Sequence, residues 1–579
     1  MESELWKKYR AKALVGMLFK VVEAIFELMT PLIIAGMIDV GVANHDSGYI
    51  LQHGLLLVAF AGIGYCSTLV TQRMAAVVSQ GVGTDLRDAL FQKINTFGAA
   101  EVDQFGTPSL VTRITNDVNQ VQLAVAMIIR LLLRWPILAI GAIVCALSID
   151  LELGLIFLVC TPIVILIFYL VMRKSIPFFS LMQQKLDHIS LVTREALSGV
   201  RVIRAFRREK SEEERFRDAA YDQAATAIDV GKLSSLLNPG SFLVMNLGIV
   251  AILWAGSFKI QAGGLQQGEI LAFVNYATQV LLSIAYVANL VILLNRAIAS
   301  ARRIREVMEC EPAVQEAPDT AVVDVAAVPK EVPALAFDHV SFSYGGGADA
   351  LSDVTITLGQ GETLGIIGGT GSGKSTFVNL ISRLYDPKQG TISLYGRDVR
   401  SWKLDELHQV VALVPQTAQL VSGTIRQNLC WRKADATDEE LLQALESAQA
   451  KDFVLAKESG LDGLVEAGGK NFSGGQRQRL TIARALVGAP QMVILDDAAS
   501  ALDFATDAKL RLALRQLPQK PTCVIVSQRV SAVMGADKIL VLHHGRPIGL
   551  GTHEELQQSC ELYREICQSQ LADKEEAHA

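Results

Sequence analysis

The pattern of apolar and polar positions changes near residue 300. Before it, apolar residues gather in long unbroken runs. After it, they alternate with polar residues or fall in short clusters bounded by Gly and Pro. A membrane-spanning helix needs about 20 mostly apolar residues. Six stretches qualify, at about 13–42, 49–78, 118–149, 151–172, 233–258 and 270–295, and the last two contain no charged residue. The segments between the second and third stretches, and between the fourth and fifth, are amphipathic with a helical period. They are too long for turns and too polar for lipid, so they predict long helices projecting from the bilayer, with tips near 105–113 and 206–214.

The later part reads differently. Pro312, Pro318, Pro329 and Pro333, set among Ala, Val and acidic residues, predict an extended linker over 309–333. Residues 335–344 then alternate as a strand should. The expected organisation is a six-helix all-α transmembrane domain with long cytosolic helical extensions over 1–308, the linker, and an α/β domain over 334–579.

Composition supports this division. Apolar residues make up 50% of the 579 positions and charged residues 19%, against roughly a quarter charged in soluble proteins. Mean hydropathy is +0.32. The net charge of -6 and the pI of 5.9 give no electrostatic footprint for nucleic acid, and none is expected as a partner. The 8 cysteines are scattered, with no CxxC pair and no metal-ligand spacing. Residues 1–12 are charged and mixed, without a signal-peptide pattern, and predict a short cytosolic helix.

The loops orient the spans. Segments 43–48, 148–153 and 261–268 contain no Lys or Arg, whereas the opposite side carries Lys7, Lys8, Arg10, Lys12, Arg87, Lys93, Arg113, a dense run from Arg201 to Lys210, and Arg296 to Arg305. The positive-inside bias places both termini in the cytosol. Within the spans, Glu23 and Glu27 share one helix face with Lys20 nearby, and Arg130 and Arg134 are also four apart. Each buried charge costs a few kcal/mol at mid-bilayer. The pairs are therefore expected to neutralise each other between helices, to line a polar pathway that touches cargo, or both, with snorkelling to the membrane surface as the remaining alternative.

The chemistry concentrates in the α/β part. An apolar run at 363–367 leads into Gly368-Gly369-Thr370-Gly371-Ser372-Gly373-Lys374-Ser375-Thr376 and then a helix-like stretch. This is the phosphate-binding loop pattern: backbone N–H groups and a helix N-terminus cradle phosphates, Lys374 reaches the β- and γ-phosphates, and Ser375 ligates Mg²⁺. ATP with Mg²⁺ is the expected cofactor. A second apolar run at 492–495 ends in Asp496-Asp497, the Walker B arrangement, with Asp496 helping to hold the metal.

Between them stands Phe472-Ser473-Gly474-Gly475-Gln476, which resembles the signature motif of ATP-binding cassette (ABC) proteins. Other elements follow in the family's order: Tyr344 resembles the aromatic that stacks on adenine, Gln416 the Q-loop glutamine that senses Mg²⁺, and Ser500-Ala501-Leu502-Asp503 the D-loop. The whole chain is similar to bacterial multidrug ABC exporter half-transporters. That resemblance implies ATP-driven export across the cytoplasmic membrane by a dimer, each nucleotide lying between one subunit's phosphate loop and its partner's signature motif. It also implies that the loop tips couple the two domains.

Two departures carry information. The residue after the Walker B Asp is usually Glu, the base that orients the attacking water; here it is Asp497, one methylene shorter. The switch position, usually His, is Gln528, which can hydrogen-bond a γ-phosphate but lacks a titratable imidazole. Both belong to the site built on this chain's own phosphate loop. The resemblance is therefore to the weak-site subunit of a heterodimeric exporter, whose partner would supply Glu and His. The upstream X-loop also departs, with Val465-Glu466-Ala467 in place of Val-Gly-Glu. The expected cargo is a small amphiphilic or hydrophobic compound: a drug, lipid or peptide. The alternatives are a homodimeric lipid or peptide exporter and an ATP-gated regulatory membrane subunit.

Overall fold

The computed structural model describes residues 2–315 and 325–576; residues 316–324, inside the expected linker, lie outside these. The chain forms two compact units, Met1–Asn95 with Pro108–Cys310, and Thr96–Thr107 with Glu311–Ala579.

Among the described residues of the first unit, six helical stretches are long and apolar enough to cross a membrane: Lys7–Val42, Ser47–Asn95, Thr107–Ile149, Leu151–Ser198, Glu209–Gln261 and Gln267–Glu309. The second is a continuous helix of 49 residues, about 73 Å at 1.5 Å per residue, against a hydrocarbon core of about 30 Å. More than half of it must therefore lie outside lipid, which its polar second half allows. The turn between the third and fourth spans is short because Asp150 caps the next helix, accepting from the Leu153 N–H at 2.9 Å. Lys259, near the end of the fifth span, pairs with the same carboxylate at 2.6 Å.

The helices meet through small residues and backbone-directed hydrogen bonds, as expected where lipid removes the hydrophobic drive between them. Ala24, Ala142 and Ala146 are buried with Leu138, Phe157, Phe273 and Val280. The Thr71 hydroxyl donates to the Gly16 carbonyl at 3.0 Å, and that of Tyr276 to the Leu28 carbonyl at 2.8 Å. Three π-helical segments, Met37–Val42, Arg113–Asp117 and Ile128–Leu132, interrupt regular helix.

The intramembrane charges pair unevenly. Lys20 contacts Glu23 at 2.7 Å, and Arg134 contacts Glu27 at 2.8 Å and Glu23 at 3.9 Å. The Thr68 hydroxyl donates to Glu23 at 2.6 Å. Arg130 has no acidic partner among the described residues, and its Nε is sealed from solvent without an acceptor.

The second unit is layered α/β. A six-stranded sheet runs in the order Arg546–Gly551, Lys538–His543, Thr363–Ile367, Thr522–Val526, Met492–Asp496, Val411–Val414. All of its pairings are parallel except at the Arg546–Gly551 edge. Thr363–Ile367 and Met492–Asp496 are buried at every position, the pattern of strands covered on both faces. An antiparallel sheet, Leu351–Leu358, Leu335–Phe342, Gln389–Leu394, Arg397–Asp398, stands beside it. The two share a core in which Phe337 stacks on Phe377 at 4.2 Å.

Residues 96–107 belong to this unit. The helix Ala99–Phe105 starts at Gly98, whose N–H donates to Glu101 at 2.8 Å. Glu101 is buried and also accepts from the Ala313 N–H at 2.8 Å. The Tyr385 hydroxyl donates to Asp103 at 2.5 Å. The tip expected at 105–113 thus begins earlier, because Phe97 and Gly98 break the preceding helix and Glu101 recaps the chain. The other tip lies in the first unit, where the helix Val200–Ala205 and the left-handed Arg207 precede Glu209–Ser234. Phe206 there is 74% exposed.

Candidate nucleotide site

The phosphate loop leaves the buried strand Thr363–Ile367 at the middle of the six-stranded sheet and enters the helix Lys374–Ile381. Gly373 sits at φ 98, and a Cβ there would stand 2.6 Å from the Ala350 carbonyl oxygen. Only glycine satisfies both demands. Thr370 and Gly371 are exposed on the outer curve, while Ser372 is buried beneath it. Lys374 folds over the loop, its Nζ donating to the Gly368 and Gly369 carbonyls at 2.8 and 2.7 Å. Burial pushes this amine below the ordinary lysine range, against the pull of the Asp497 and Asp496 carboxylates. An amine held by two backbone carbonyls is ready to exchange them for phosphate oxygens.

Ser375 Oγ lies 3.4 Å from Asp496 Oδ1. Asp496 ends its strand buried, and that burial raises its pKa. A hydroxyl beside a carboxylate, opening onto a phosphate cradle, suits Mg²⁺, which keeps several waters and takes few protein ligands. No group of three or more His, Cys, Asp or Glu able to hold a metal occurs among the described residues. Tyr344 is 42% exposed, and its hydroxyl donates to Thr376 Oγ1 at 3.1 Å. Its ring meets Phe342 and Tyr385 edge-on, with centroids 4.9 and 5.2 Å away. This leaves it fixed at the loop's margin.

Asp497 follows Asp496 in the left-handed region at φ 47, which Asp tolerates better than most side chains. Burial raises its pKa, opposed by the Gln416 amide and by Arg529 and Lys374. The strands Met492–Asp496 and Thr522–Val526 pair in parallel with Asp496 opposite Val526. The Asp497 N–H donates to the Val526 carbonyl at 3.0 Å. Gln528, exposed two residues beyond Val526, therefore shares one sheet rim with Asp497. The two departures are neighbours in space.

The signature segment is built differently. Ser473 caps the helix Gly474–Leu486 reciprocally with Gln476: the Gln476 N–H donates to Ser473 Oγ at 3.3 Å, and the Ser473 N–H to Gln476 Oε1 at 3.0 Å. Ser473 and Gly474 are exposed, and a Cβ on Gly474 would meet nothing within 4 Å. Gly475 is tighter, its Cβ position 3.2 Å from the Ala501 carbonyl. Among the described residues no hydrogen bond joins Ser473–Gln476 to the phosphate loop. Asp503 is exposed and caps the helix Phe504–Arg515, accepting from the Thr506 N–H at 2.8 Å.

One contact had no signal in the sequence pattern. Gln570, in the final helix, grips the switch segment from behind: its amide donates to the Gln528 carbonyl at 2.7 Å and accepts from the Val530 N–H at 2.8 Å. A lone glutamine 42 residues downstream matches no motif.

Comparison with known proteins identifies both parts of the chain. Residues 13–284 match the ABC transporter transmembrane region and residues 351–500 the ABC transporter domain. The chain is 37% identical to an uncharacterized ABC transporter ATP-binding protein of Mycobacterium tuberculosis (strain ATCC 25618 / H37Rv), over 97% of each chain. It is 30% identical to a fatty acid ABC transporter ATP-binding/permease protein of Mycobacterium bovis, over 84% of this chain and 76% of that one. A bacterial Atm1-family ABC exporter with ATP bound shares the fold, with a TM-score of 0.79, 22% identity, and coverage of 97% of this chain and 99% of that one.

Proposed function

The chain belongs to the ABC transporter family, as a multi-pass membrane protein with an ATPase domain coupled to transport, and on that premise we propose that it is the weak-site half of a two-subunit exporter. Its phosphate loop binds ATP and, through Ser375, Asp496 and Gln416, Mg²⁺. Its Ser473–Gln476 segment and Asp503 serve the partner's nucleotide. Both termini face the cytosol of a bacterial cytoplasmic membrane. The cargo is hydrophobic or amphiphilic, a reading supported by apolar spans with few charges and by relatives named for multidrug efflux and fatty acids.

The carrying observation is the common rim of Asp497 and Gln528. A general base must come within about 2.6–3.2 Å of its water, and loss of one methylene with an unchanged backbone withdraws the carboxylate by roughly 1.5 Å. A misplacement of about 1 Å can cost on the order of 100-fold in rate. Two changes beside one phosphate loop, with the outward signature segment intact, favour one slow site and one fast site over two equal ones. The exposed helix N-terminus at Ser473 supports a role toward a nucleotide held by another subunit. The exposed tip at Phe206 likewise supports docking on a second subunit.

The test is single-turnover hydrolysis by the purified pair in a bilayer. With the partner's Walker B carboxylate neutralised, ATP on the Lys374 loop should turn over slowly. Full-speed hydrolysis there would sink the weak-site reading, and a pair of identical chains would sink the heterodimer.

A further inference from the structure

The charges of the first and third spans pair unevenly. Lys20, Glu23, Glu27 and Arg134 form one connected cluster, two cations with two carboxylates, closed by contacts of 2.7, 2.8 and 3.9 Å. Glu23 is further satisfied by Thr68 at 2.6 Å. Arg130 lies one helical step from Arg134 and stands outside the cluster. Its neighbour Ile129 is buried with Tyr9, Ala13, Ala75 and Val78 and packs on Gly16, about one turn before Lys20 on the first helix. Arg130 is thus at span depth, half-buried, with a sealed Nε and no carboxylate among the described residues.

Local backbone points the same way. Arg130 sits in the π-helical segment Ile128–Leu132. Single π turns inside α-helices concentrate at functional sites, because the wider turn re-aims a side chain. A structural arginine at this depth would be expected to take a carboxylate or to reach the interface. Glu23 and Glu27 lie on the first helix, and Lys20 and Arg134 take both.

We propose that Arg130 is an anion-binding residue of the translocation pathway, and that the cargo is an amphiphile with a carboxylate or phosphate head on an apolar body. This rests on the exporter reading and narrows its substrate class. The guanidinium fork matches either oxyanion in a bidentate manner. The exposed apolar residues of the spans suit the hydrocarbon part. Glu23 and Glu27, held by their own cations, repel an anion less than free carboxylates would.

The experiment uses the full chain, with its co-purifying partner, in nanodiscs of phosphatidylcholine. Saturable binding of dodecanoate, dodecyl phosphate, dodecanol and dodecylammonium is measured above partitioning into empty discs. Wild type should bind the two anions at least about tenfold tighter than the alcohol or the cation, the scale of one charged hydrogen bond. R130Q should erase that preference, R130K keep part of it, and R130E turn it toward dodecylammonium. E27Q, which frees Arg134 from its carboxylate, should raise anion affinity a few-fold and keeps the test open if R130Q fails to fold. Retained thermal stabilisation by ATP reports folding of each variant. Equal binding of dodecanol and dodecanoate by wild type, or an undiminished preference in R130Q, overturns the proposal. So does unchanged anion affinity in E27Q where R130Q cannot be read. Replacing phosphatidylcholine with phosphatidylglycerol separates a resident lipid from cargo: if the lipid alone blocks dodecanoate at all concentrations, Arg130 holds bilayer lipid and the cargo assignment fails. Loss of ATPase in K374A is read separately and bears only on the exporter reading.

Discussion

The phosphate-loop rim and the signature segment lie in one domain but follow opposite building rules. The rim is assembled from buried strand ends. Lys374, Asp496 and Asp497 all have pKa values moved by burial, and Asp497 holds a left-handed backbone. The signature segment is an exposed helix start that satisfies its own capping groups through Ser473 and Gln476. Groups taken out of water and pressed together are arranged for chemistry in place. A self-capped helix start whose first residues are exposed leaves its N-terminus facing solvent. The departures at Asp497 and Gln528 fall on the first region, while that at 465–467 lies just upstream of the signature segment.

The largest effect is expected from lengthening the short base. Asp497→Glu should raise single-turnover hydrolysis on the Lys374 loop by up to about 100-fold, and Gln528→His should add to it. No change in either would remove the distinction between the sites. Next in size, Ser473→Ala should lower total steady-state ATPase by about tenfold while leaving ATP affinity at the Lys374 loop intact, measured with a fluorescent nucleotide. An equal loss at both sites would mean the signature acts within its own chain. Tyr344→Ala should raise KM for ATP about three- to tenfold with kcat nearly constant, the scale of one lost aromatic stack.

The smallest effect is in pH. The Asp497 pKa is raised above its ordinary value of 3.8. The folded state therefore holds this proton where the unfolded chain has lost it, and stability contributed here falls as pH rises through that window. Asp497→Asn should then raise the Tm of nucleotide-free protein relative to wild type more at pH 7 than at pH 4. The difference should be on the order of 1 °C, because the group is partly exposed and screened. An opposite slope would mean that Arg529 and Lys374 outweigh burial.

Much of the fold was legible because its signals are contiguous. Twenty apolar residues in a row have few other uses, and the phosphate loop is read within nine neighbouring positions, 368–376. The site was legible as a set of motifs but not as an arrangement. The departures at Asp497 and Gln528 stand out singly; that they share a rim depends on parallel pairing of two strands. The Gln570 clamp had no motif to announce it. The first loop tip begins several residues before 105, because hydropathy does not register a Gly98 break recapped by Glu101.

Local composition and short-range backbone chemistry are thus enough to specify six apolar helices, an α/β nucleotide domain and the Gly-rich loop pattern at 368–376. Only the tertiary structure decided that residues 96–107 join the nucleotide domain, that Arg134 takes the glutamates while Arg130 takes none, and that Asp497 and Gln528 flank one loop. Those outcomes are choices among partners distant in the chain. They are settled by which side chains packing brings within a few ångströms, and no local pattern encodes that competition.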